Sequence, residues 1–375
     1  WSSDVCSSDL CDPPDIARFV AAKATGDLRN FNLSVGVTDA FMRAVAEGGR
    51  FALRDPRSGD VVDEVDAGAL FGAICEQAWR TGDPGLLFLD RIEADNPVPP
   101  LGRLEATNPC GEAPLLPFEA CCLGGVNVAR FATPGVGDGV DWDGLDETAT
   151  LALRMMDNTI ELSNYPLPEI RRATLQTRKV GIGVMGFADL CIELGIPYGT
   201  NASVSLARRL MQRIADTTRQ ASAELALERG NFPAFEQSVW RDLGFASMRN
   251  ATTTSNAPNS TIGPIAGCSP GIEPLFAVGY ERVLANGDRN REIHPRFVEL
   301  LAARGLGDDD LLDVHLALRL HAARRELHVA GREDRGVADI RAHPLDRQVA
   351  DGVRGHDIDL VLDRARVAAM AHAME

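Results

Sequence analysis

The sequence predicts an α/β fold with a largely parallel sheet or barrel, because short apolar runs alternate with helical segments over residues 11–310. Three runs are typical of strands covered on both faces. They are FNLSVGV (31–37), GLLFLD (85–90) and KVGIGVMGF (179–187). Glycines interrupt the third run, which indicates that backbone approaches another backbone or a ligand closely there.

Two helices are predicted between these strands. Thr38 and Asp39 can cap a helix through FMRAVAE, and Gly48 with Gly49 would end it. A long amphipathic helix should end at Gly230, since apolar residues before it recur at near-helical spacing: Leu206, Leu210, Ile214, Ala221 and Leu225.

The two ends of the chain differ from the middle. Residues 1–10 repeat an S-S-D pattern without periodicity, and we expect a non-native leader that resembles a translated sequencing adapter. Residues 311–375 hold six of the seven histidines and ten arginines but no Phe, Trp, Tyr, Asn or Lys. Such a tail lacks the larger core-forming side chains. A small helical appendage over 361–374 is one interpretation, and out-of-frame translation is the one we favour; resistance to limited proteolysis would contradict the latter.

Composition and charge exclude several classes of protein. The net charge of −16 argues against a nucleic-acid partner but allows a small phosphorylated ligand in a local pocket. No apolar run approaches the roughly 18 residues of a membrane span, and the N-terminus lacks a signal-peptide pattern. We therefore expect a cytoplasmic protein whose eight cysteines are reduced thiols. Without a CxxC pair, no metal site is expected.

The most informative segment is TNPCGEAPLLPFEACCLGGVNV (107–128). Asn108, Cys110 and Glu112 alternate, so in an extended loop their side chains would project to one side. A second thiol follows at Cys121, next to Cys122. The segment therefore predicts a cluster of an amide, a thiol and a carboxylate.

This cluster is unsuited to a thiolate nucleophile, because the charge of Glu112 raises the pKa of a neighbouring thiol. No histidine lies nearby in sequence to act as its base. One-electron chemistry needs no thiolate, since a thiyl radical removes hydrogen atoms. A carboxylate beside it can then accept a proton from a substrate hydroxyl.

Several long blocks, in the same order, resemble ribonucleotide reductases over about residues 11–300. The NPCGE form (108–112) is similar to that of the adenosylcobalamin-dependent class, class II. The other blocks are CDPPDIARFVAAK (11–23), FNLSVGVTDAFM (31–42), GDPGLLFLDRI (82–92), NPVPPLG (96–102), CCLGGVNV (121–128), DNTIELSNYPLPEI (157–170), RKVGIGVMGFADL (178–190) and SNAPNSTIGPIAGCSPGIEPLFA (255–277).

The resemblance implies part of a ten-stranded α/β barrel, of the type shared with glycyl-radical enzymes, with a cysteine finger loop at its centre. The implied reaction reduces ribonucleoside diphosphates to 2′-deoxyribonucleotides for DNA precursor synthesis. By resemblance, Cys110 becomes the thiyl radical and removes the ribose 3′ hydrogen. Glu112 accepts the 3′-hydroxyl proton, Asn108 binds the ribose hydroxyls, and Cys121 belongs to the redox pair that reduces C2′.

A second loop offers hydroxyl and backbone N–H groups of the kind that bind phosphate oxygens. By resemblance, the substrate phosphates would bind at Pro258, Asn259, Ser260, Thr261 and Ile262. The family more usually has Thr-Gly-Thr at 259–261, so this chain lacks the glycine.

The resemblance also implies a cofactor and partners. These are adenosylcobalamin with its cobalt, a ribonucleotide substrate, a thioredoxin- or glutaredoxin-type reductant, a nucleotide effector in the full-length parent, and a homodimeric assembly. The family's partner redox cysteine, later barrel strands and shuttle cysteines have no counterpart in this sequence. We expect this chain alone neither to turn over nor to close a barrel.

Three alternatives stay open. The large subunit of a di-metal class I reductase would receive its radical from a partner subunit, and cobalamin dependence discriminates against it. A glycyl-radical enzyme would need a glycine-radical motif. An inactive, truncated nucleotide-binding remnant is the non-catalytic interpretation, which uninterrupted flanking sequence in the genome would contradict.

The remaining cysteines and the histidine of the body have simpler interpretations. Cys75, Cys191 and Cys268 are predicted to fill apolar space, and Cys11 to be non-catalytic. Cys122 stands where the family has a polar residue, which leaves open which of the two vicinal sulfurs reacts. His294 is predicted to be a surface residue.

Overall fold

A computed structural model describes residues 5–25, 28, 31–275, 277–283 and 289–302 of the chain. Strands and helices alternate through most of this range, which confirms the predicted α/β class. The strands are β1 (Val5–Leu10), β2 (Phe31–Val37), β3 (Arg50–Arg54), β4 (Val61–Asp66), β5 (Gly85–Phe88), β6 (Ala106–Thr107), β7 (Pro114–Leu115), β8 (Leu123–Asn127), β9 (Gly181–Met185), β10 (Gly279–Val283) and β11 (Arg289–Ile293).

Helices connect these strands, and most of the long ones lie in the second half of the described region. The helices are α1 (Ile16–Val20), α2 (Asp39–Glu47), α3 (Ala67–Thr81), α4 (Leu89–Ala94), α5 (Trp142–Leu162), α6 (Pro168–Thr177), α7 (Phe187–Glu193), α8 (Asn201–Arg229), α9 (Val239–Asp242), α10 (Ile262–Ile265) and α11 (Pro295–Ala302). Among the described residues, none of these helices has the length and apolarity needed to cross a membrane.

Two parallel sheets form the framework. The first has the order β1-β2-β5, and the second pairs β8 with β9, Leu123 opposite Gly181. The pairs β3-β4, β6-β7 and β10-β11 are antiparallel. Strand β1 lies inside the segment predicted to be a non-native leader, so part of that segment is placed in the fold; its origin stays a prediction. The tail 311–375 lies outside the described residues.

The predicted elements match where local signals are strong. Strand β2 spans the predicted 31–37, and α2 is capped by the Thr38 hydroxyl and ended by Gly48 in the left-handed conformation. Helix α8 ends at Gly230, with its predicted apolar residues buried. The run 85–90 is only partly strand, because α4 begins at Leu89.

Helices α5 and α8 cover the sheet of β8 and β9. The largest hydrophobic core of the described residues lies between these helices and the sheet. Buried residues of both strands and both helices meet there, including Val126, Val184, Leu153 and Leu210. Separate clusters surround β2 and the segment 98–116, the second packing against Phe232, Phe235 and Met248. The strands β8 and β9 are therefore held in place by a packed hydrophobic core. The cysteine segment 107–122 lies directly before β8.

Candidate active site

Cys110 lies at the tip of a short hairpin made by β6 and β7. The tip is a tight turn, in which the N–H of Gly111 donates to the carbonyl of Asn108 at 3.0 Å and Gly111 has a φ of +88°. The backbone N–H of Ala113 donates to the Asn108 side-chain oxygen at 3.0 Å. The predicted extended loop is therefore wrong, because backbone and side-chain hydrogen bonds of Asn108 close a turn that simple alternation does not describe. The turn leaves the Cys110 side chain exposed.

Glu112 follows this turn and is held by its backbone. The Ser255 hydroxyl donates to the Glu112 carbonyl at 3.0 Å, which ties the hairpin to the segment beside β9. One carboxyl oxygen, Oε2, is buried and accepts no hydrogen bond from any described residue. A buried acceptor without a donor costs about 1–3 kcal/mol, so this oxygen is suited to a donor supplied by a ligand.

Cys121 is the exposed residue directly before Cys122 and β8. Desolvation of its thiol raises its pKa, and the negative charge of Glu112 raises it further. The structure thus brings the predicted carboxylate and the second predicted thiol into one electrostatic environment. A thiol with a raised pKa stays protonated at neutral pH, which suits transfer of a hydrogen atom and disfavours nucleophilic attack.

Cys122 faces a different part of the molecule. Its sulfur lies 3.6 Å from both the sulfur and the carbonyl oxygen of Met156 on α5. Burial is the largest cause that raises the pKa of this thiol. Negative charge on Cys121, when it ionises, and on Asp157 raises the pKa further. Of the two vicinal thiols, Cys121 is therefore the one in the environment of Glu112, and Cys122 packs on the helix.

The edge of β9 positions Ser255. Residues 252–255 run alongside β9, with a parallel bridge between Ile182 and Thr254 and a bond from the Ser255 N–H to the Ile182 carbonyl of 3.3 Å. A methyl group on Gly183 would overlap the carbonyl oxygen of Ser255. The glycines of 181–186 are thus packing glycines, as predicted, and they let the segment carrying Ser255 reach Glu112.

The predicted phosphate loop follows this segment. Asn259 adopts the left-handed conformation with a φ of +53°, and its amide donates to the carbonyl of Val184 at 3.0 Å. Ser260 and Thr261 are exposed, and Thr261 precedes the short helix α10. Because Ser260 does not have a positive φ, the missing family glycine creates no backbone strain at this position.

Three residues that sequence reasoning did not single out contribute to the site: Ser255, Glu119 and Lys179. Lys179 Nζ lies 2.6 Å from Glu119 Oε2, and the side chains are only 8% and 1% exposed. Glu119 stands in the cysteine segment and Lys179 at the start of the glycine-rich run. The available signal for this pair was a charged residue beside apolar neighbours, Glu119 after LLPF and Lys179 before VGIGV.

The simpler predictions for other residues are confirmed in part. Cys11 and Cys191 are buried, and burial raises the pKa of each thiol to about 11. Cys75 is exposed on α3, so the prediction that it fills apolar space is wrong; its position falls on the outer face of that helix. His294 was predicted at the surface, but it is only 14% exposed because it pairs with Asp189 at 2.5 Å.

The fold and this segment together define the class of protein. The described residues place Cys110 on a hairpin, one buried oxygen of Glu112 in the same hairpin, and Cys121 before a parallel strand. The model of the ribonucleotide reductase barrel domain matches residues 11–326, and the chain belongs to this family. The match begins where the predicted leader ends and runs past the predicted boundary at 310.

The names of similar proteins are more specific than the description of the family. The chain is 50% identical over 301 residues to a vitamin B12-dependent ribonucleoside-diphosphate reductase of Mycobacterium tuberculosis, covering 80% of this chain and 43% of the relative. An enzyme of the same name from Thermoplasma acidophilum is 42% identical, with 80% and 39% covered. A ribonucleoside-diphosphate reductase subunit alpha of Chlamydia pneumoniae is 28% identical, with 69% and 28% covered. The chain thus spans less than half the length of these relatives.

Proposed function

We propose that the protein of which this sequence is part reduces ribonucleoside diphosphates to 2′-deoxyribonucleoside diphosphates by thiyl-radical chemistry. One observation carries the proposal: Glu112 lies in the hairpin that presents Cys110, its charge acts on Cys121, and its buried oxygen accepts no hydrogen bond from the described residues. Two thiols and one acid within a single segment are the groups that this reaction needs.

In this proposal Cys110 acts as a thiyl radical and removes the 3′ hydrogen of the ribose. The Glu112 carboxylate accepts the proton of the 3′-hydroxyl, and that hydroxyl supplies the donor that Oε2 lacks within the described residues. The Asn108 side-chain oxygen closes the turn, which leaves its NH2 group for a ribose hydroxyl.

Cys121 takes part in the reduction of C2′. The 2′-hydroxyl leaves as water, and two thiols are oxidised to a disulfide, which supplies the two electrons of each turnover. The raised pKa of Cys121 keeps a proton on sulfur for the leaving hydroxyl. The partner thiol has no assigned position in this chain, and a thioredoxin- or glutaredoxin-type dithiol would restore the pair.

The cofactor we infer is adenosylcobalamin. The exposed Cys110 at the end of a hairpin fits it, since a bulky radical source must approach the sulfur from outside. When bound, adenosylcobalamin supplies the radical that takes the hydrogen atom of the thiol. The relatives at 50% and 42% identity are vitamin B12-dependent reductases, which supports this class over the class I alternative.

The substrate phosphates are proposed to bind at 258–262. The exposed hydroxyls of Ser260 and Thr261 support this, and so does the fixed position of Asn259 against β9. The ten-stranded barrel, the nucleotide effector and a homodimer belong to the same proposal and rest on the family alone.

The test uses the complete reading frame that contains this chain. We expect conversion of a ribonucleoside diphosphate to its deoxy product with adenosylcobalamin and a dithiol, and loss of conversion in Cys110→Ser. Cys75→Ser is the matched control, because Cys75 is exposed on the remote helix α3. Unchanged conversion by Cys110→Ser would refute the proposal. Conversion that requires a second subunit instead of cobalamin would select the class I alternative.

A further inference from the structure

Glu119 and Lys179 form a nearly buried ion pair between the cysteine segment and the start of β9. Glu119 Oε2 accepts from Lys179 Nζ at 2.6 Å and from the backbone N–H of Leu116 at 2.7 Å. Its other oxygen accepts from the Thr177 hydroxyl at 2.5 Å. We call Glu119, Lys179 and Thr177 the Glu119 anchor. Both oxygens of a buried carboxylate are thereby hydrogen-bonded, and these bonds fix one short loop.

The loop fixed by this anchor contains a strained turn. The N–H of Glu119 donates to the carbonyl of Leu116 at 3.0 Å, and Phe118 between them has a φ of +64°. A left-handed conformation is unfavourable for a bulky side chain and is normally left to glycine. Phe118 is 58% exposed, so its packing offers little compensation for the strain. The bonds of Glu119 are what holds the turn.

The turn joins the two halves of the candidate site. On one side, Lys179 Nζ also reaches the carbonyl of Pro114 at 3.4 Å, two residues after Glu112. On the other, the N–H of Ala120 donates to the Thr174 hydroxyl at 3.1 Å, directly before Cys121. The Lys179 ammonium therefore contacts the loop at Pro114, two residues after Glu112, and at Glu119, two residues before Cys121.

We propose that Lys179 and Glu119 are positioning residues for the reduction step: they hold the strained turn and thereby fix Cys121 relative to Glu112. This inference rests on the proposed function for its purpose, but the geometry it claims can be measured without turnover. Neither residue touches substrate in this proposal, and the effect passes through the turn at 116–119.

The test measures alkylation of Cys121 by iodoacetamide, resolved by peptide mass spectrometry, in the complete protein that contains this chain and without turnover. In Lys179→Met we expect the alkylation rate of Cys121 at neutral pH to rise by about tenfold. The reason is that release of the turn separates the thiol from the charge of Glu112. The rate at the exposed Cys75 should stay the same. Lys179→Arg should stay closer to the wild-type rate than Lys179→Met, since it keeps the charge and N–H donors.

A second pair of variants separates positioning from general stability. Phe118→Gly removes the strain, so adding it to Lys179→Met should bring the Cys121 rate back toward wild type. Thr177→Val removes one bond to Glu119 but keeps its carboxylate paired with Lys179, so it should change the Cys121 rate in the same direction by less. This variant serves if Lys179→Met fails to fold.

The pH profile of alkylation gives a readout that a merely structural pair would not move. Glu112 and Cys122 are the titratable neighbours of Cys121, and separation of Cys121 from Glu112 would move its profile to lower pH. Loss of the Lys179 charge by itself would raise the pKa of Cys121 and move its alkylation profile to higher pH. An unchanged Cys121 rate and profile, or equal changes at Cys75 and Cys121, would overturn the inference. Failure of the reductase proposal would appear instead in the Cys110→Ser conversion test.

Discussion

Replacement of Asp157 by Asn should destabilise the protein strongly, because Asp157 on α5 is fully buried and compensates several arginines. Its Oδ1 accepts from Arg178 Nε at 2.8 Å and from the Asn250 amide at 3.2 Å. Its Oδ2 accepts from Arg229 at 3.1 Å and from Arg249 at 3.3 Å. The carboxylate thus joins α5, the end of α8 and the residue before Lys179.

The magnitude follows from what asparagine leaves unpaired. One carboxyl oxygen becomes an NH2 group that faces two donors, and the charge is lost. Removal of one partner from a buried pair costs about 3–5 kcal/mol. We expect about 3 kcal/mol, the lower end, because Arg178 keeps Glu161 at 2.9 Å and the Arg229 side chain is 32% exposed.

The assay is urea unfolding followed by tryptophan fluorescence, with Asp216→Asn as the matched control. Asp216 is an exposed acid on α8 that pairs with Arg219 at 3.3 Å, and exposed pairs contribute about 0.2–1 kcal/mol. A loss in Asp157→Asn no larger than that in Asp216→Asn would refute the reasoning.

The pH dependence provides an independent check. Burial opposes ionisation of Asp157, but the hydrogen bond and charge of Arg178, together with Arg249, outweigh it and lower the pKa. A lowered folded pKa stabilises the fold above the unfolded value of about 3.9, and this contribution is lost as pH falls through the folded pKa. The difference between wild type and Asp157→Asn should be constant near neutrality and shrink in acid.

Three further changes test the site and its scaffold. Glu112→Gln should move the pH profile of Cys121 alkylation to lower pH. The pKa of Cys121 should nevertheless stay above that of an ordinary cysteine, because desolvation is the larger cause of the raised pKa. Gly183→Ala should lower stability by about 1–3 kcal/mol and increase hydrogen exchange around Ser255, since the methyl group overlaps backbone. Gly72→Ala, in open space on α3, should instead raise stability by up to about 1 kcal/mol, and thermal unfolding compares the two.

The elements that sequence could predict are those with local causes. Strand β2, the capped helix α2 and the long helix α8 depend on periodicity, a capping hydroxyl and a terminating glycine, all readable from neighbouring residues. Helix α5 carries Leu145, Ala149, Leu153 and Ile160 at helical spacing behind the cap of Asp141, so it too was detectable. The family blocks led to the prediction of Cys110, Glu112 and Cys121 as site residues, which stays a prediction.

What could not be predicted depends on contacts between distant segments. The hairpin tip is a turn because Asn108 bonds Ala113, and no alternation rule contains that information. The partners of Glu119 come from the end of α6 and the start of β9, which only the folded chain brings together. His294 differs from its surface prediction for the same reason, since its partner Asp189 lies on α7.

Two local costs occur within the cysteine segment, on either side of β7, and their positions argue for chemistry there. The Oε2 atom of Glu112 is buried without a donor among the described residues, and Phe118 holds an unfavourable φ while its ring stays exposed. A loop serving only stability would have a glycine at 118 and a partner for the acid, since either change is simple. Uncompensated polar groups and strained residues persist where a ligand or a geometry requires them. In the proposed reaction, a ribose hydroxyl would satisfy the acid, and a fixed Cys121 would explain the turn.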